Sequence, residues 1–233
     1  MLQAVLFDAT GTLIAPREPI GEVYAREAAR QGVEISAWRL DDAFRRVWRQ
    51  GATLIFPDAS AAERPALERA AWRDIVRRTF LAADSDRRLP DFEESFTTLF
   101  AHYARAEAWA LRGGTREALE ALRRYGLRLG VVSNFDHRLP GILDGLGVRE
   151  HFASVVLAGD VGAEKPDPAI FERALAELDV PASEALFVGD DAEKDLAGAQ
   201  RAGLRALDVG SLATLAELPD RLRTGFPSAQ ENA

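Results

Sequence analysis

The sequence predicts an α/β fold, in which a doubly wound parallel sheet carries an inserted helical domain. Three patterns favour this class. One short apolar run opens the chain, residues 19–108 show helical periodicity and no convincing strand, and strands alternate with helices after Gly113. Alternation of that kind implies parallel strands joined by right-handed crossovers. The helical segment therefore interrupts a sheet that begins before it and continues after it.

The first strand is predicted from the uninterrupted apolar run Ala4-Val5-Leu6-Phe7. A run without polar alternation is typical of a strand that is buried on both faces. Asp8 follows the run directly, and open α/β sheets carry their chemistry at the carboxyl ends of their strands. Gly11 permits a sharp turn, and the hydroxyls of Thr10 and Thr12 lie close to the Asp8 carboxylate in the chain.

The inserted segment is predicted to contain four amphipathic helices, because its apolar residues recur at intervals of three and four. Such spacing favours a helical bundle packed on its own core. Ser36 is the expected N-cap of the second helix. The four apolar stripes are Ile20, Val23, Tyr24 and Ala28; Leu40, Phe44, Val47 and Trp48; Trp72, Ile75, Val76 and Phe80; and Phe92, Phe96, Leu99, Phe100 and Tyr103.

The second half of the chain is predicted as a regular alternation. Helices are expected at residues 115–125, 138–146, 168–178 and 193–202, and strands at 127–132, 154–157, 185–188 and 204–208. We therefore divide the chain into a sheet domain, residues 1–15 and 110–218, and an inserted helical domain, residues 16–109. Residues 219–233 are expected to form a short helix and a loose tail.

Composition limits the class of protein. The 233 residues are 47% hydrophobic and 28% charged, which is ordinary for a soluble globular chain. No apolar run approaches the roughly 20 residues that span a bilayer, and the N-terminus has no basic segment typical of a signal peptide. We therefore expect no membrane partner. The absence of cysteine excludes disulfides and thiolate metal sites, and it fits a cytoplasmic location.

The net charge of −8 comes from 29 basic and 37 acidic residues. Nucleic-acid binding needs a basic surface, so we expect no nucleic-acid partner. A small anionic substrate can still bind if a cation bridges it to an acidic site. The composition carries no information on oligomeric state.

Polar residues follow three later strands. Ser133 and Asn134 offer a hydroxyl and an amide that can hold a phosphoryl oxygen, although such a pair also fits an ordinary turn. Lys165 lies in a loop stiffened by prolines, where an ammonium could screen a nucleophile and its substrate or simply face solvent. Asp190, Asp191, Glu193 and Asp195 form the last group.

That acidic group lies where a strand gives way to a helix. Acids at a helix start are partly explained by the helix dipole, which accounts for Asp191 or Glu193 better than for Asp190. Together with Asp8, the carboxylates of Asp190 and Asp195 would make a hard oxygen site suited to Mg²⁺.

All four polar segments occur in order at strand ends, with a helical insert in the first gap. In this respect the chain resembles the haloacid dehalogenase-like hydrolase superfamily over most of its length. The resemblance implies a Rossmann-like core and a C1-type helical cap domain. Residues 19–25 and 126–152 resemble one particular branch of the superfamily. In that branch the acid that usually stands two residues after the first Asp tends to be absent, and in this chain that position is Thr10.

The resemblance also implies a mechanism. Asp8 would attack phosphorus and form an aspartyl-phosphate. Mg²⁺ would be held by Asp8, the backbone carbonyl of Thr10 and Asp190, with Asp195 acting directly or through water. The phosphoryl oxygens of a small phosphorylated molecule would be bound by Thr12, Ser133, Asn134 and Lys165.

Thr10 departs from the pattern of the superfamily's phosphatases, which usually carry a second Asp at this position. That Asp protonates the leaving alkoxide and then activates water, and a threonine hydroxyl is far too weak an acid for this role. Losing a positioned general acid typically costs about 10²- to 10⁴-fold in rate. The cost should be small for leaving groups that depart as stable anions, such as those of acyl or aryl phosphates.

Three functions are therefore compatible with the sequence. The first is a Mg²⁺-dependent phosphohydrolase, the second a 2-haloacid dehalogenase that attacks carbon without a metal, and the third a phosphate-binding regulatory protein with little turnover. The acidic cluster favours phosphate chemistry, because it would repel a haloacid but attract phosphate once Mg²⁺ is bound. Arg45, Arg46 and Arg49 beside Trp48 either contact a second anionic group or form an exposed basic helix face.

Overall fold

A computed structural model describes residues 1–51 and 53–224. In chain order its strands are β1 (Ala4–Phe7), β2 (Ile14–Pro16), β3 (Trp109–Leu111), β4 (Arg128–Ser133), β5 (Ser154–Leu157), β6 (Ala185–Gly189) and β7 (Arg205–Asp208). Five of them form a parallel sheet in the order β5-β4-β1-β6-β7. The predicted doubly wound α/β fold is confirmed, and β1 lies at the centre of the sheet.

Alternate residues of β1 explain why its sequence is uniformly apolar. Val5 and Phe7 pack into a core on one face of the sheet, and Ala4 and Leu6 pack into a second core on the other face. All four side chains are inaccessible to solvent. A strand covered on both faces needs no polar alternation.

The inserted segment contains the four predicted helices, and they bury a third apolar cluster of their own. Ser36 is the N-cap residue of the second helix, as predicted, although its side chain makes no capping hydrogen bond in the described part of the chain. The helices are α1 (Ile20–Arg30), α2 (Ala37–Arg49), α3 (Arg64–Ala83) and α4 (Phe92–His102).

The helices that flank the sheet are α5 (Thr115–Arg124), α6 (Leu139–Gly145), α7 (Ala158–Val161), α8 (Pro168–Leu178), α9 (Gly198–Arg201) and α10 (Leu218–Thr224). One predicted helix differs in kind. Residues 193–202 were expected to form a continuous α-helix, whereas Ala192–Ala197 form a π-helical turn that precedes α9. In this wider turn the Leu196 N–H bonds to the Asp191 carbonyl, five residues back.

An antiparallel ribbon of β2 and β3 joins the sheet to the helical insert, with Ile14 opposite Leu111 and Pro16 opposite Trp109. This ribbon was not predicted, because three residues are too few to establish an alternating pattern. Our predicted domain boundaries fall within this ribbon and stay a prediction. The predicted tail at residues 225–233 lies outside the described residues.

No helix of the described ranges combines the length and the apolar character that crossing a membrane requires.

Candidate active site

The loop after β1 brings Asp8 to the centre of the sheet edge, where it is 7% exposed. Gly11 turns this loop with a φ of 99°, in the region that favours glycine. A Cβ at Gly11 would lie 2.3 Å from Oδ2 of Asp190. Glycine therefore lets the Asp190 carboxylate approach the loop. Thr12 is fully buried, and its hydroxyl donates to Oδ1 of Asp190 at 3.3 Å.

Lys165 is the cation of the site. Its Nζ donates to Oδ1 of Asp8 at 2.6 Å and to Oδ1 of Asp195 at 2.7 Å. All three side chains are buried, so these are charge-assisted hydrogen bonds in a poorly screened environment. Although burial lowers the pKa of Lys165, the carboxylates of Asp8 and Asp195 outweigh that effect and raise it above its usual value.

Burial has the opposite consequence for the nucleophile candidate. It raises the pKa of Asp8 to about 6, with Lys165 opposing the shift and Asp195 adding to it. Burial and the charge of Asp195 also raise the pKa of Asp190. The raised pKa values of Asp8 and Asp190 therefore arise mainly from burial, in a cluster where three carboxylates share one lysine.

Asn134 positions Lys165. Its side-chain oxygen accepts the Lys165 backbone N–H at 2.8 Å, and its side-chain nitrogen donates to the Lys165 carbonyl at 3.1 Å. The sequence predicts that this amide binds phosphoryl oxygens, and this stays a prediction. Both of its polar atoms contact the Lys165 backbone, and the amide nitrogen carries a second N–H beyond the one used there. The neighbouring Ser133 hydroxyl accepts the Phe135 N–H at 3.2 Å, and among the described residues no group accepts its own proton, which can therefore bind a ligand.

Asp195 organises the acidic segment after β6. Its Oδ2 accepts the backbone N–H groups of Asp190 at 3.0 Å and Asp191 at 3.1 Å, while its Oδ1 binds Lys165. The missing side chain of Gly189 makes room, since a Cβ there would lie 2.5 Å from the Asp195 side chain. The Asp191 carboxylate accepts the backbone N–H groups of Glu193 and Lys194 and so caps the π-helical turn. This contact agrees with the expectation that an acid at a helix start is explained by the helix itself.

These residues fit a divalent cation. Asp8, Asp190 and Asp195 each offer an oxygen within 4.8 Å of the others, and carboxylate oxygens are the ligands that Mg²⁺ prefers. Both oxygens of Asp195 already accept hydrogen bonds. Asp8 and Asp190 would therefore coordinate the cation directly, and Asp195 would not be a direct ligand. Thr10 lies at the same edge, on the wall of the adjoining cavity.

A cavity of about 320 Å³ opens from this polar floor toward the helical insert. The helical spacing predicts that all four apolar stripes pack into the core of the helical bundle. The structure divides them instead, because some members of each stripe line the cavity and the others do not. The lining members are Ile20, Tyr24, Phe44, Trp48, Trp72, Val76, Phe96, Leu99, Phe100 and Tyr103. Aromatic wall residues include Phe44, Trp48, Trp72, Phe100, Tyr103 and Trp109.

The basic residues of α2 do not reach this cavity. Arg45, Arg46 and Arg49 are exposed and are not among the described residues that line the cavity, and Arg46 pairs with Asp42 at 3.2 Å. They form an exposed basic helix face, which was one of the two interpretations that the sequence allowed.

Arg138 is a wall residue that sequence analysis missed. Its guanidinium donates to both oxygens of Asp136 at 2.8 and 2.6 Å and lies 4.1 Å from the ring centroid of Phe100. Trp72 Nε1 donates to the same carboxylate at 2.5 Å. The group ties α3 and α4 to the sheet. The available signal was an Asp-x-Arg sequence two residues after the polar pair Ser133-Asn134.

We expect Arg138→Ala to lower the free energy of unfolding by about 3–5 kcal/mol, because it leaves the buried Asp136 carboxylate without its cationic partner. Burial alone would raise the pKa of Asp136, but Arg138 holds it below its usual value. The contribution is therefore present above the ordinary Asp pKa of about 4 and is lost as pH falls through the lowered value. Urea unfolding curves measure it.

The matched control is Arg124→Ala, which removes an exposed arginine paired with Glu120 at 3.9 Å. It should change the free energy of unfolding by less than about 0.5 kcal/mol. Equal losses in the two variants would contradict a structural role for the Asp136–Arg138 pair.

Comparison with known proteins identifies the class. The model of the haloacid dehalogenase-like hydrolase family matches residues 2–203, and the chain belongs to that family. Among its relatives is haloacid dehalogenase-like hydrolase domain-containing protein 3 from Danio rerio, which is 35% identical over 94% of this chain and 96% of its own length. This is the branch that residues 19–25 and 126–152 resemble.

Solved structures agree on the fold. A phosphatase of the same family from Thermococcus onnurineus superimposes with a TM-score of 0.63 and 24% identity, covering 95% of this chain and 98% of its own. A 2-haloacid dehalogenase from Pseudomonas syringae pv. tomato DC3000 superimposes with a TM-score of 0.61 and 26% identity, covering 96% and 99%. The chain is therefore a hydrolase whose neighbours include both phosphorus- and carbon-directed enzymes.

Proposed function

We propose that this hydrolase is a Mg²⁺-dependent phosphatase of a small phosphorylated molecule, with Asp8 as nucleophile. The observation that carries the proposal is the charge balance of the site. When Asp8, Asp190, Asp195 and Lys165 are all ionised, this cluster has a net charge of −2. A divalent cation would cancel that charge, so that the site would no longer repel a phosphoryl group.

The same balance disfavours the dehalogenase alternative. A haloacid carboxylate would have to approach Asp8 without a cation to offset Asp190 and Asp195, in a buried and poorly screened site. Lys165 is already shared between Asp8 and Asp195. A haloacid would therefore be repelled by the carboxylates of Asp190 and Asp195. A phosphate ester would not, because bound Mg²⁺ would offset these charges.

The proposed reaction consists of two successive displacements at phosphorus. Lys165 holds Oδ1 of Asp8, which aims the other carboxylate oxygen at phosphorus. Attack forms the O–P bond to Asp8 and breaks the bond to the leaving oxygen, which departs with its electron pair. Water then attacks phosphorus, releases inorganic phosphate and restores the Asp8 carboxylate. Bound Mg²⁺ would supply electrophilic stabilisation of the transferring phosphoryl group.

Thr12, Ser133 and Lys165 are proposed to bind the phosphoryl oxygens. Asn134 keeps its place in the site as a positioning residue, because its two hydrogen bonds orient the Lys165 backbone. Thr10 occupies the position of the usual acid without supplying a proton. The leaving oxygen must therefore depart as an anion or take its proton from solvent.

A single screen tests the proposal. Phosphate release from a panel of phosphorylated metabolites and aryl phosphates is measured with Mg²⁺ and with EDTA, and halide release is measured from a 2-haloacid. We expect phosphate release that needs Mg²⁺, and no halide. Metal-independent halide release would replace the proposal with the dehalogenase function, and binding of phosphate without any turnover would favour the regulatory alternative.

Mg²⁺ binding is expected to raise the melting temperature, since a ligand that binds only the folded state stabilises it by mass action. Asp190→Ala should lose both the binding heat and the stabilisation, whereas Asp144→Ala, on the exposed side of α6, should keep them. Affinity should weaken as pH falls below about 6, because a proton on Asp8 competes with the metal. Calorimetric titration and thermal melts measure both effects. Equal Mg²⁺ binding by wild type and Asp190→Ala would remove Asp190 from the site.

A further inference from the structure

We infer that the leaving group of the substrate is an uncharged aromatic group, so that the preferred substrates are aryl phosphate monoesters. This inference rests on the phosphatase function proposed above. It comes from the aromatic wall of the 320 Å³ cavity that adjoins Asp8. It also comes from the lack of an unpaired cation among the described residues of the apolar part of that wall.

The wall opposite the polar floor is a continuous aromatic surface. Phe44 stacks on Trp48 with a centroid distance of 6.1 Å and an interplanar angle of 14°, and Trp48 stacks on Trp72 at 5.6 Å and 20°. Trp109 and Phe135 meet edge to face at 5.3 Å on the same wall. Flat rings of this kind bind another flat ring through offset stacking and burial of apolar surface.

The apolar part of the wall offers no unpaired cation among the described residues. Its one guanidinium, that of Arg138, is neutralised by two hydrogen bonds to Asp136. The wall's two lysines, Lys165 and Lys194, belong to the polar floor, where Lys165 binds Asp8 and Lys194 lies within the acidic segment after β6. A second negative charge on the leaving group would be desolvated there without compensation.

Tyr103 adds one polar contact. Its hydroxyl is buried and has no hydrogen-bond partner in the described part of the chain, although the residue lines the cavity. Tyr24, its neighbour on the wall at a ring distance of 6.5 Å, is buried as well. Burial raises the pKa of both phenols, so they stay protonated. An uncharged oxygen or nitrogen on the aromatic group would satisfy the free hydroxyl.

The missing acid at Thr10 points to the same chemistry independently. An aryl oxide leaves as a stabilised anion, and its departure therefore depends less on a protonated carboxyl group than that of an alkoxide. The aromatic cavity wall and the replacement of the usual acid by Thr10 thus favour the same class of ester for different physical reasons.

Three esters with leaving groups of similar acidity test the inference in the wild-type protein: phenyl, 2-naphthyl and 3-carboxyphenyl phosphate. We expect kcat/KM for the naphthyl ester to exceed that of the phenyl ester by about 10-fold, because the second ring buries more apolar surface. The carboxyphenyl ester should react at least about 10-fold more slowly than the phenyl ester. Equal or better use of the carboxyphenyl ester, with no gain for naphthyl, would overturn the inference.

Two tryptophans of α2 provide matched variants. Trp48 lines the cavity, whereas Trp38 on the same helix is 71% exposed. The ratio of kcat/KM for naphthyl phosphate to that for acetyl phosphate should fall about 10-fold in Trp48→Ala and stay constant in Trp38→Ala. Trp48→Leu, which keeps apolar bulk, should fall between them. An unchanged ratio in both Trp48 variants would contradict the inference.

Binding to the inactive Asp8→Asn variant separates the inference from the function on which it rests. Calorimetry measures its affinity for 2-naphthyl phosphate and for inorganic phosphate, with and without the Trp48→Ala change. Tighter, Trp48-dependent binding of the naphthyl ester supports the aromatic site even if wild type hydrolyses nothing, which would defeat only the phosphatase proposal. Hydrolysis of acetyl phosphate without any naphthyl preference would leave the phosphatase and remove the aromatic site.

Discussion

Asp8→Asn should abolish turnover, with kcat reduced by at least about 10⁴-fold, because the amide keeps the shape of the side chain but is not a nucleophile. Losses of this size are typical when the attacking group is removed and the binding groups remain. Lys165 keeps its hydrogen bond to Asp195 in the variant, so the site should stay assembled. An aryl phosphate assay with excess Mg²⁺ measures the loss.

The stability of the same variant provides a second readout. Burial raises the pKa of Asp8 from 3.8 to about 6, so the folded protein binds a proton more tightly than the unfolded chain. Ionisation of Asp8 therefore lowers stability as pH rises from about 4 to about 6, and the loss is complete above that range. Asp8→Asn removes this charge. In EDTA at pH 7 its melting temperature should therefore equal or exceed that of the wild type.

Asp144→Asn is the matched control, since Asp144 is exposed and lies outside the site. It should keep wild-type activity. Activity retained by Asp8→Asn would remove Asp8 from the nucleophile role. A collapse of its circular dichroism signal at room temperature would mean instead that Asp8 holds the fold.

Thr10→Asp should raise activity toward alkyl phosphates, by up to about 10²- to 10⁴-fold. The wild type lacks a proton donor at this position, so its kcat/KM should fall steeply as the leaving group becomes more basic. The new carboxyl would flatten that dependence by protonating the leaving oxygen. The gain will fall short of the full range where nearby Mg²⁺ keeps the carboxyl ionised.

Thr10→Asn is the control for this substitution, because it matches the shape of Asp and cannot donate an acidic proton. It should leave the slope unchanged. The measurement is kcat/KM for a series of esters against leaving-group pKa in all three proteins. A flat dependence in the wild type would mean that another residue supplies the proton.

Much of the architecture was predictable because local patterns and the tertiary structure impose the same requirement. β1 lies at the centre of a parallel sheet, so it must be apolar on both faces, and Ala4–Phe7 is. The four helices of the insert pack on a shared core, which requires apolar residues at intervals of three and four. The β2–β3 ribbon escaped prediction because three residues carry no period.

The residues at the sheet edge were predictable for a similar reason. Parallel strands end on one side, so polar residues after β1, β4 and β6 must come close together. Which atom meets which was not predictable. Lys165 could have faced solvent, and only the packed structure directs it between Asp8 and Asp195, with the amide of Asn134 engaged on its backbone.

By itself, the sequence determined the class of fold, the order of the strand-end motifs and the departure at Thr10, because each depends on residues close together in the chain. Only the tertiary structure decided how the aromatic residues of the insert divide between a core and a cavity wall. A helical stripe has the same spacing whether its far edge packs on another helix or faces an open space beside Asp8. That division depends on where the insert rests on the sheet, and contacts between residues distant in the chain set it.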